Sequence, residues 1–363
     1  MKVLYVGHLD SECSTCFSRF CALKKIVPDT YGFNTTPYLS NWPQGSINRI
    51  YQALETHLLR GPRHSNANAD LIARCRKLRP NIVWIDTGVW VWPNTLRTLK
   101  KLGCFLVMHI TDALVARNWR VRFKRRQLQQ TLKYYDVFFT TNVDDYQSKL
   151  TTPLSTTPIL TNLGYDDMLF TPAPLTPEHT EKWNTPIVFI GHYEPSTEAG
   201  ILALIDAGLP VKVYGHAPWF ESPNREKLGD TLHPSLNNDD YVSALKGAAI
   251  GLCFLSTLNY NQTAGRSFEI PGTGSFLLAV RTQQHLECYD EGIEAEFFSD
   301  HAELIHKAKY YLKHASEREA IALRGLKRCQ KSGYSWNRLM ARDWFKVLQL
   351  YVERQNTMSN QHD

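Results

Sequence analysis

Short, unbroken apolar runs recur along the chain, each closed by a glycine or a polar loop. "KVLYVGHLDSE" opens the sequence, and "PIVFIGHYEPS" repeats the pattern near residue 186, with Gly-His at the end of each run. Further runs rich in β-branched residues are "NIVWIDTG" (81–88), "CFLVMHITD" (104–112), "DVFFTTN" (136–142) and "TPILTNLG" (157–164). Runs with no polar alternation suit parallel strands covered on both faces. Between them, apolar positions at helical spacing predict helices over 47–60, 66–78, 93–101 and 119–133. The second half repeats the alternation: "PIVFIGH", a helix at 196–207, "PVKVYGHA", a helix at 239–247, "IGLCFLS" and "SFLLAV". Strand and helix in strict turn predict an α/β chain with two doubly wound sheets.

The two halves are separated by "TPAPLTPEHTEKWNTP", with four prolines in sixteen residues and no apolar periodicity. That composition reads as a linker. The expected organisation is therefore a first domain over 1–170, a linker over 171–185 and a second domain over 186–334. Residues 335–363 form a C-terminal helix, with Trp336, Leu339, Trp344, Leu348 and Tyr351 on one stripe, and a polar tail.

Charge is divided unevenly. Residues 1–180 hold 22 Lys and Arg against 13 Asp and Glu, and the remainder holds 19 against 22. Part of the excess lies in "ARNWRVRFKRR", from Arg117 to Arg126, which suits peripheral contact with an anionic membrane or a solvated helix face. No motif for reading nucleic acid accompanies it, so no nucleic-acid partner is expected. No apolar run reaches the 18 residues of a spanning helix, and the N-terminus reads as a strand, which predicts a cytoplasmic protein. The eight cysteines include one close pair, Cys13 and Cys16, without the second pair that a zinc site needs. No metal site is expected.

The chain lacks G-x-G-x-x-G after either opening strand, a phosphate-binding P-loop and G-x-S-x-G. Its most distinctive stretch is "GRSFEIPGTGSFLLA" (265–279). Arg266 and Glu269 stand three apart and share one helix face. Pro271 and Gly272 close the helix before an apolar strand. The alternatives are an exposed ion pair, worth little, and a binding site. The start of the helix, Thr263 to Gly265, offers backbone N–H groups to an anion. Arg266 beside it can clamp a phosphate, and Glu269 can accept ribose hydroxyls.

The stretch "AGRSFEIPGTGSFLLAVRTQQHLECYDEGIEAEFFSDHAELIHKAKYYL" resembles the spore-maturation-type glycosyltransferase-like family, a branch of the group 1 glycosyltransferases. Its pattern is Arg-x-Phe-Glu, a small-residue turn, an apolar strand, "EG.EA.FF" and an "EL" helix. "NLGYDDMLFTP", "VFIGHYEP" and "VKVYG" extend the likeness to about residues 80–340. The resemblance implies a GT-B fold, two facing Rossmann-like domains with a cleft between them, the second holding a nucleotide-sugar donor. It implies no tightly bound cofactor, the nucleotide-diphosphate sugar being the donor substrate. Glu269 then holds the donor ribose, Gly191 and His192 line the phosphate side, and Tyr214, Gly215 and Trp219 line the base side; the competing roles are a turn for Gly191 and core or rim packing for Tyr214 and Trp219. Group 1 enzymes often place a second acid eight residues before that glutamate. Here the position is Asn261.

On the acceptor side, Asp112 and His109 end one strand of the first half, and His8 and Asp10 follow another. A catalytic base must reach the acceptor hydroxyl, and Asp112, His8 and His109 are the candidates, in that order. Asp112 as a helix cap and His109 as a core histidine are the competing roles. The acceptor expected is a glycan, a lipid-linked sugar or a protein. The alternative function is a catalytically silent nucleotide- or sugar-binding protein on the same scaffold.

Overall fold

The computed structural model describes residues 1–10, 14–40, 51–52, 54–55, 58–113, 126–147, 158–236, 238–257 and 260–359. Contacts divide the chain into two compact units, one of Met1–Asn162 with Asn337–Asp363, the other of Leu163–Trp336. The predicted helices at 47–60 and 119–133 lie partly outside the described residues. So do Cys13 and the cluster from Arg117 to Arg125.

The first unit holds six parallel strands: β1 (Val3–Gly7), β2 (Thr30–Asn34), β3 (Ile82–Asp86), β4 (Phe105–Ile110), β5 (Val137–Thr140) and β6 (Ile159–Leu160). Their order is β2-β1-β3-β4-β5-β6. Every residue of β1, β3, β4 and β5 is buried. That is why these four read as continuous apolar runs. Helices such as Thr15–Ile26, Pro62–Leu78 and Pro93–Lys101 make the crossovers. Trp84 stacks on Tyr5 and Phe139, with ring centroids 6.5 and 5.6 Å apart. A side chain of this size contributes roughly 1.5–3 kcal/mol when buried.

The second unit holds β7 (Thr185–Ile190), β8 (Val211–Gly215), β9 (Leu232–Pro234), β10 (Ala248–Cys253), β11 (Leu277–Val280) and β12 (Glu296–Phe298), in the order β12-β11-β10-β7-β8-β9. Both sheets are parallel throughout. The periodicity reading passes over β2, β9 and β12, which are edge strands: β2 leaves Tyr31 exposed, and β9 and β12 have three residues each.

The proline-rich stretch is not featureless. Pro177–Trp183 is a helix whose cap, Thr176, accepts from the His179 N–H, with Pro177 at its first turn. Trp183 is buried, and a side-chain carbon on Gly247 would fall 2.7 Å from its Cβ. The ordering signals are Thr-Pro-Glu and one tryptophan, too local for a periodicity window. Tyr165 and Ser335 form a bridge, and the Trp336 N–H donates to the Tyr165 carbonyl at 2.9 Å. The second unit therefore starts and ends side by side. The helix Trp336–Ser359 then belongs, from Asn337 on, to the first unit. There the Thr161 hydroxyl donates to Asp343 (2.8 Å), and Arg354 binds Asp136 (3.2 Å).

Candidate functional site

The helix Arg266–Gly272 follows β10 and precedes β11. Pro271 has no N–H, so the Ser267 carbonyl loses its helical partner. The Tyr289 hydroxyl takes that place, donating at 2.9 Å. Beneath the helix, Nδ1–H of His285 donates to the Val280 carbonyl (2.7 Å). Its Nε2 therefore accepts from the Ser267 hydroxyl (2.7 Å), whose oxygen accepts from the Ala264 N–H (2.9 Å). Burial pushes His285 down to about 4, so the imidazole is neutral. These buried bonds fix the turn from which Arg266 and Glu269 project.

No ion pair joins Arg266 and Glu269 among the described residues. Each has its own surroundings. The Arg266 guanidinium lies over the Phe189 ring, 5.1 Å from its centroid, and Nη2 reaches the Phe254 carbonyl at 3.4 Å. Its Nε is buried with no hydrogen-bond partner among the described residues. A Cβ on Gly191 would sit 2.8 Å from Nη1 and 3.0 Å from Cζ of Phe189. Glycine at 191 is what lets the guanidinium lie against the end of β7. Glu269 is partly buried as a residue, but its carboxylate is tucked between Tyr241 and Gly265. The Tyr241 hydroxyl donates to Oε2 at 2.6 Å, and Oε1 faces the Gly265 Cα. Burial raises the Glu269 pKa, against the opposing Tyr241 bond and Arg266 charge.

The helix start is less open than its sequence suggests. The N–H groups of Ser267, Phe268 and Glu269 turn back to the Ala264 and Gly265 carbonyls, and that of Ala264 is held by Ser267. With only seven residues in the helix, anion recognition here falls to the Arg266 side chain. The preceding polar loop is partly spent on packing: the Gln262 carbonyl accepts from the Thr282 hydroxyl at 2.6 Å. Asn261 is half-buried in this loop.

The ends of β7 and β8 supply the rest. His192 and His216 are both exposed, and their rings stack 5.4 Å apart, tilted by 28°. Trp219 is 1% exposed, and its indole N–H donates to the Gly191 carbonyl at 2.9 Å. It supports the loop and has no face left for a base. Gly215 leaves room for that indole, since a Cβ there would fall 2.2 Å from Trp219 Cδ1. Tyr214 is buried between Trp183 and His233. The structure thus gathers Gly191, His192, Arg266, Gly265 and Glu269 on one face, with Gly215 beneath, and keeps the Tyr214 and Trp219 rings inside. Sequence reasoning passed over His216 and Tyr241. The repeated Gly-His at 215–216 could have found the first; Tyr241 carries no local signal.

The "EG.EA.FF" motif is structural. Arg281 binds Glu291 and Glu303, and Lys307 reaches Glu291 (2.7 Å) and Glu296 (2.5 Å). These bonds hold Glu303 down to about 2.

In the first unit, His109 is 1% exposed and stands 3.9 Å from Asp86. Burial, with Arg19 beside it, pushes its pKa down to about 3. In this position it cannot meet an acceptor hydroxyl. Asp86 is fully buried, bound by Arg19 (2.7 Å) and the Tyr5 hydroxyl (2.5 Å). Burial pushes its carboxyl up, but Arg19, His109 and the Tyr5 hydroxyl together outweigh burial and hold the pKa low. Cys16, next to this group, is pushed up to about 12 by burial and Asp86, the reverse of a reactive thiol. Asp112 is exposed just after β4.

His8 sits just past β1 in a defined network. Asn34 Oδ1 accepts from the N–H groups of Leu9 and Thr36 (3.1 Å each) and from the Thr36 hydroxyl (2.9 Å). Its amide N–H donates to Asp10. Thr36 Oγ1 also lies 2.9 Å from His8 Nδ1, and its single proton serves either that nitrogen or Asn34 Oδ1.

Residues 199–342, under half of the chain, match a family model described as glycosyl transferase-like. No curated protein sequence matches the chain significantly. Sucrose-phosphate synthase from Thermosynechococcus elongatus has a similar structure, with a TM-score of 0.68 at 11% identity over 97% of this chain and 100% of that one. Anabaena HepE in complex with UDP-glucose gives 0.65 at 11% identity, over 99% and 100%. A UDP-forming trehalose-phosphate synthase from Burkholderia xenovorans gives 0.63 at 11% identity, over 96% and 99%. The chain thus has the two-domain α/β GT-B fold, and its glycosyl transferase-like stretch contains His216, Tyr241, Arg266 and Glu269.

Proposed function

We propose that this chain is a glycosyltransferase of the group 1, spore-maturation type, which binds a nucleoside-diphosphate sugar in its second unit. The observation that carries the reading is the placement of Glu269 and Arg266 at the carboxyl end of a parallel sheet, where open α/β sheets bind ligands. Glu269 accepts the ribose hydroxyls, with Tyr241 fixing its orientation. Arg266, held against Gly191, takes the diphosphate and stabilises the charge that grows on it as the sugar leaves. UDP is the first nucleotide to test, because the similar Anabaena structure was obtained with UDP-glucose.

On the acceptor side, His8 is the stronger base candidate, being half-buried just past β1 with its ring held by Thr36. Asp112 is the second, being exposed at the end of β4, and His109 drops out through its burial. Acceptors with a hydroxyl on a glycan, lipid-linked sugar or protein fit this chemistry. Peripheral membrane contact through Arg117 to Arg126 is proposed on charge alone; only Arg126 of that cluster is among the described residues. Among the described residues no helix is long and apolar enough to cross a membrane.

Asn261, an amide where group 1 enzymes often have an acid, favours a second reading: a nucleotide- or sugar-binding protein without catalysis. Calorimetric titration with UDP, GDP, CDP, ADP and dTDP tests the donor site. One nucleotide should bind in the micromolar range, and Glu269→Ala should weaken it at least about 150-fold, the equivalent of two lost charged hydrogen bonds. Equal binding by the variant would remove the assignment. Binding without donor hydrolysis or transfer would favour the silent scaffold.

A further inference from the structure

Two Gly-His turns end neighbouring parallel strands: Gly191-His192 after β7 and Gly215-His216 after β8. Parallel pairing sets the two histidines side by side, and their rings stack 5.4 Å apart. Both are exposed. The turn between them is held rigid, with the Gly191 N–H donating to the Tyr214 carbonyl at 3.0 Å and the Trp219 indole holding the Gly191 carbonyl. Arg266 Nη1 lies against the Gly191 Cα. Three side chains that can carry positive charge therefore converge on one strand end.

The groups acting on His192 are His216 across the stack, Arg266 from the helix after β10, and Glu194 on its own loop. The acid among these described groups is already engaged: Glu194 Oε2 accepts from the Thr257 N–H and hydroxyl, both at 2.9 Å. Partial burial, with His216 and the permanent Arg266 guanidinium close by, holds the His192 imidazole below its usual range. A diphosphate reverses the balance, because its negative charge favours the protonated ring.

We propose that the stacked pair His192 and His216 completes the diphosphate site and takes up a proton when a nucleoside diphosphate binds. His216 is then a binding residue in its own right. The inference rests on the donor reading above and adds to it a linkage: affinity rises as pH falls, by up to about tenfold per unit for one proton.

The test is calorimetric titration of the full chain with UDP near pH 7, in two buffers of different ionisation enthalpy, beside His192→Asn and His216→Asn. The observed enthalpy should depend on the buffer with the sign of proton uptake. Each variant should lose most of that dependence and bind UDP more weakly, by about tenfold. UDP titrates its own terminal phosphate in all three proteins, so the difference between them isolates the pair. UDP binding with equal uptake in all three would overturn the linkage and leave the donor site standing. Failure of UDP and of the four other diphosphates to bind would remove both.

Discussion

The carboxyl ends of the two sheets use similar residues in opposite ways. In the first unit, an arginine, a carboxylate, a tyrosine and a histidine (Arg19, Asp86, Tyr5 and His109) are all fully buried around β1, β3 and β4. In the second, Arg266, Glu269, Tyr241 and the two histidines stand near the ends of β7, β8 and β10, the histidines exposed and the other three partly buried. In the first group Asp86 already has Arg19 and Tyr5, while both His109 ring nitrogens are buried with no hydrogen-bond partner among the described residues. The second is left electrostatically incomplete, with no acid paired to Arg266 among the described residues and the imidazoles facing each other. A buried charge matched within the core, as Asp86 is by Arg19, supports the fold, while charge left uncompensated at a sheet end is suited to a ligand.

Variants can separate the two. The largest expected effect is Arg19→Met, which leaves Asp86 buried without its cation and should cost about 3–5 kcal/mol of stability in denaturant unfolding. A cost near zero would mean that Asp86 is protonated or wet, and the contrast with the second unit would weaken. Next comes Gly191→Ala. Its added carbon meets Arg266 Nη1 and Phe189 Cζ, so it should cost about 1–2 kcal/mol and lower UDP affinity by displacing the guanidinium. Unchanged affinity would mean that Arg266 is not where the diphosphate lies.

The smallest effect sharpens the comparison through pH. His285 and His109 are neutral in the fold, with pKa values pushed down to about 4 and about 3. In the unfolded chain each takes a proton near pH 6.5. The unfolded state thus binds more protons below that value, so stability is full above pH 6.5 and falls as pH drops toward 4 and then 3. Between pH 7 and 5.5 each histidine should cost about 1 kcal/mol, readable as a shift in denaturant midpoint that His285→Gln halves. His192 is exposed, and its contribution should show in ligand binding rather than in unfolding.

Much of this was legible beforehand in particular residues. The runs from Val3, Ile82, Phe105 and Val137 declared central strands because both faces are buried, which leaves no polar alternation. Three edge strands were not legible, since a short or half-exposed strand carries no such run. Arg266 and Glu269 stood out because neither charge belongs in a core helix and Pro271 stops the chain just beyond them. Trp219 and Tyr214 misled in detail. An aromatic near a strand end looks the same in sequence whether it faces a ligand or props up a turn, and the hydrogen bond from Trp219 to Gly191 decided the matter.

By itself, then, the sequence determined the local grammar: alternating strands and helices, the Gly-His turns, and a charged helix ahead of β11. Those follow from periodicity and backbone chemistry within a few residues. The tertiary structure decided which charges meet. Arg19 and Asp86 are 67 residues apart, and Tyr241 and Glu269 are 28 apart. Whether an arginine finds an acid or is left for a ligand depends on the order in which strands assemble. That order is a property of the folded sheet and is not encoded at any one position along the chain.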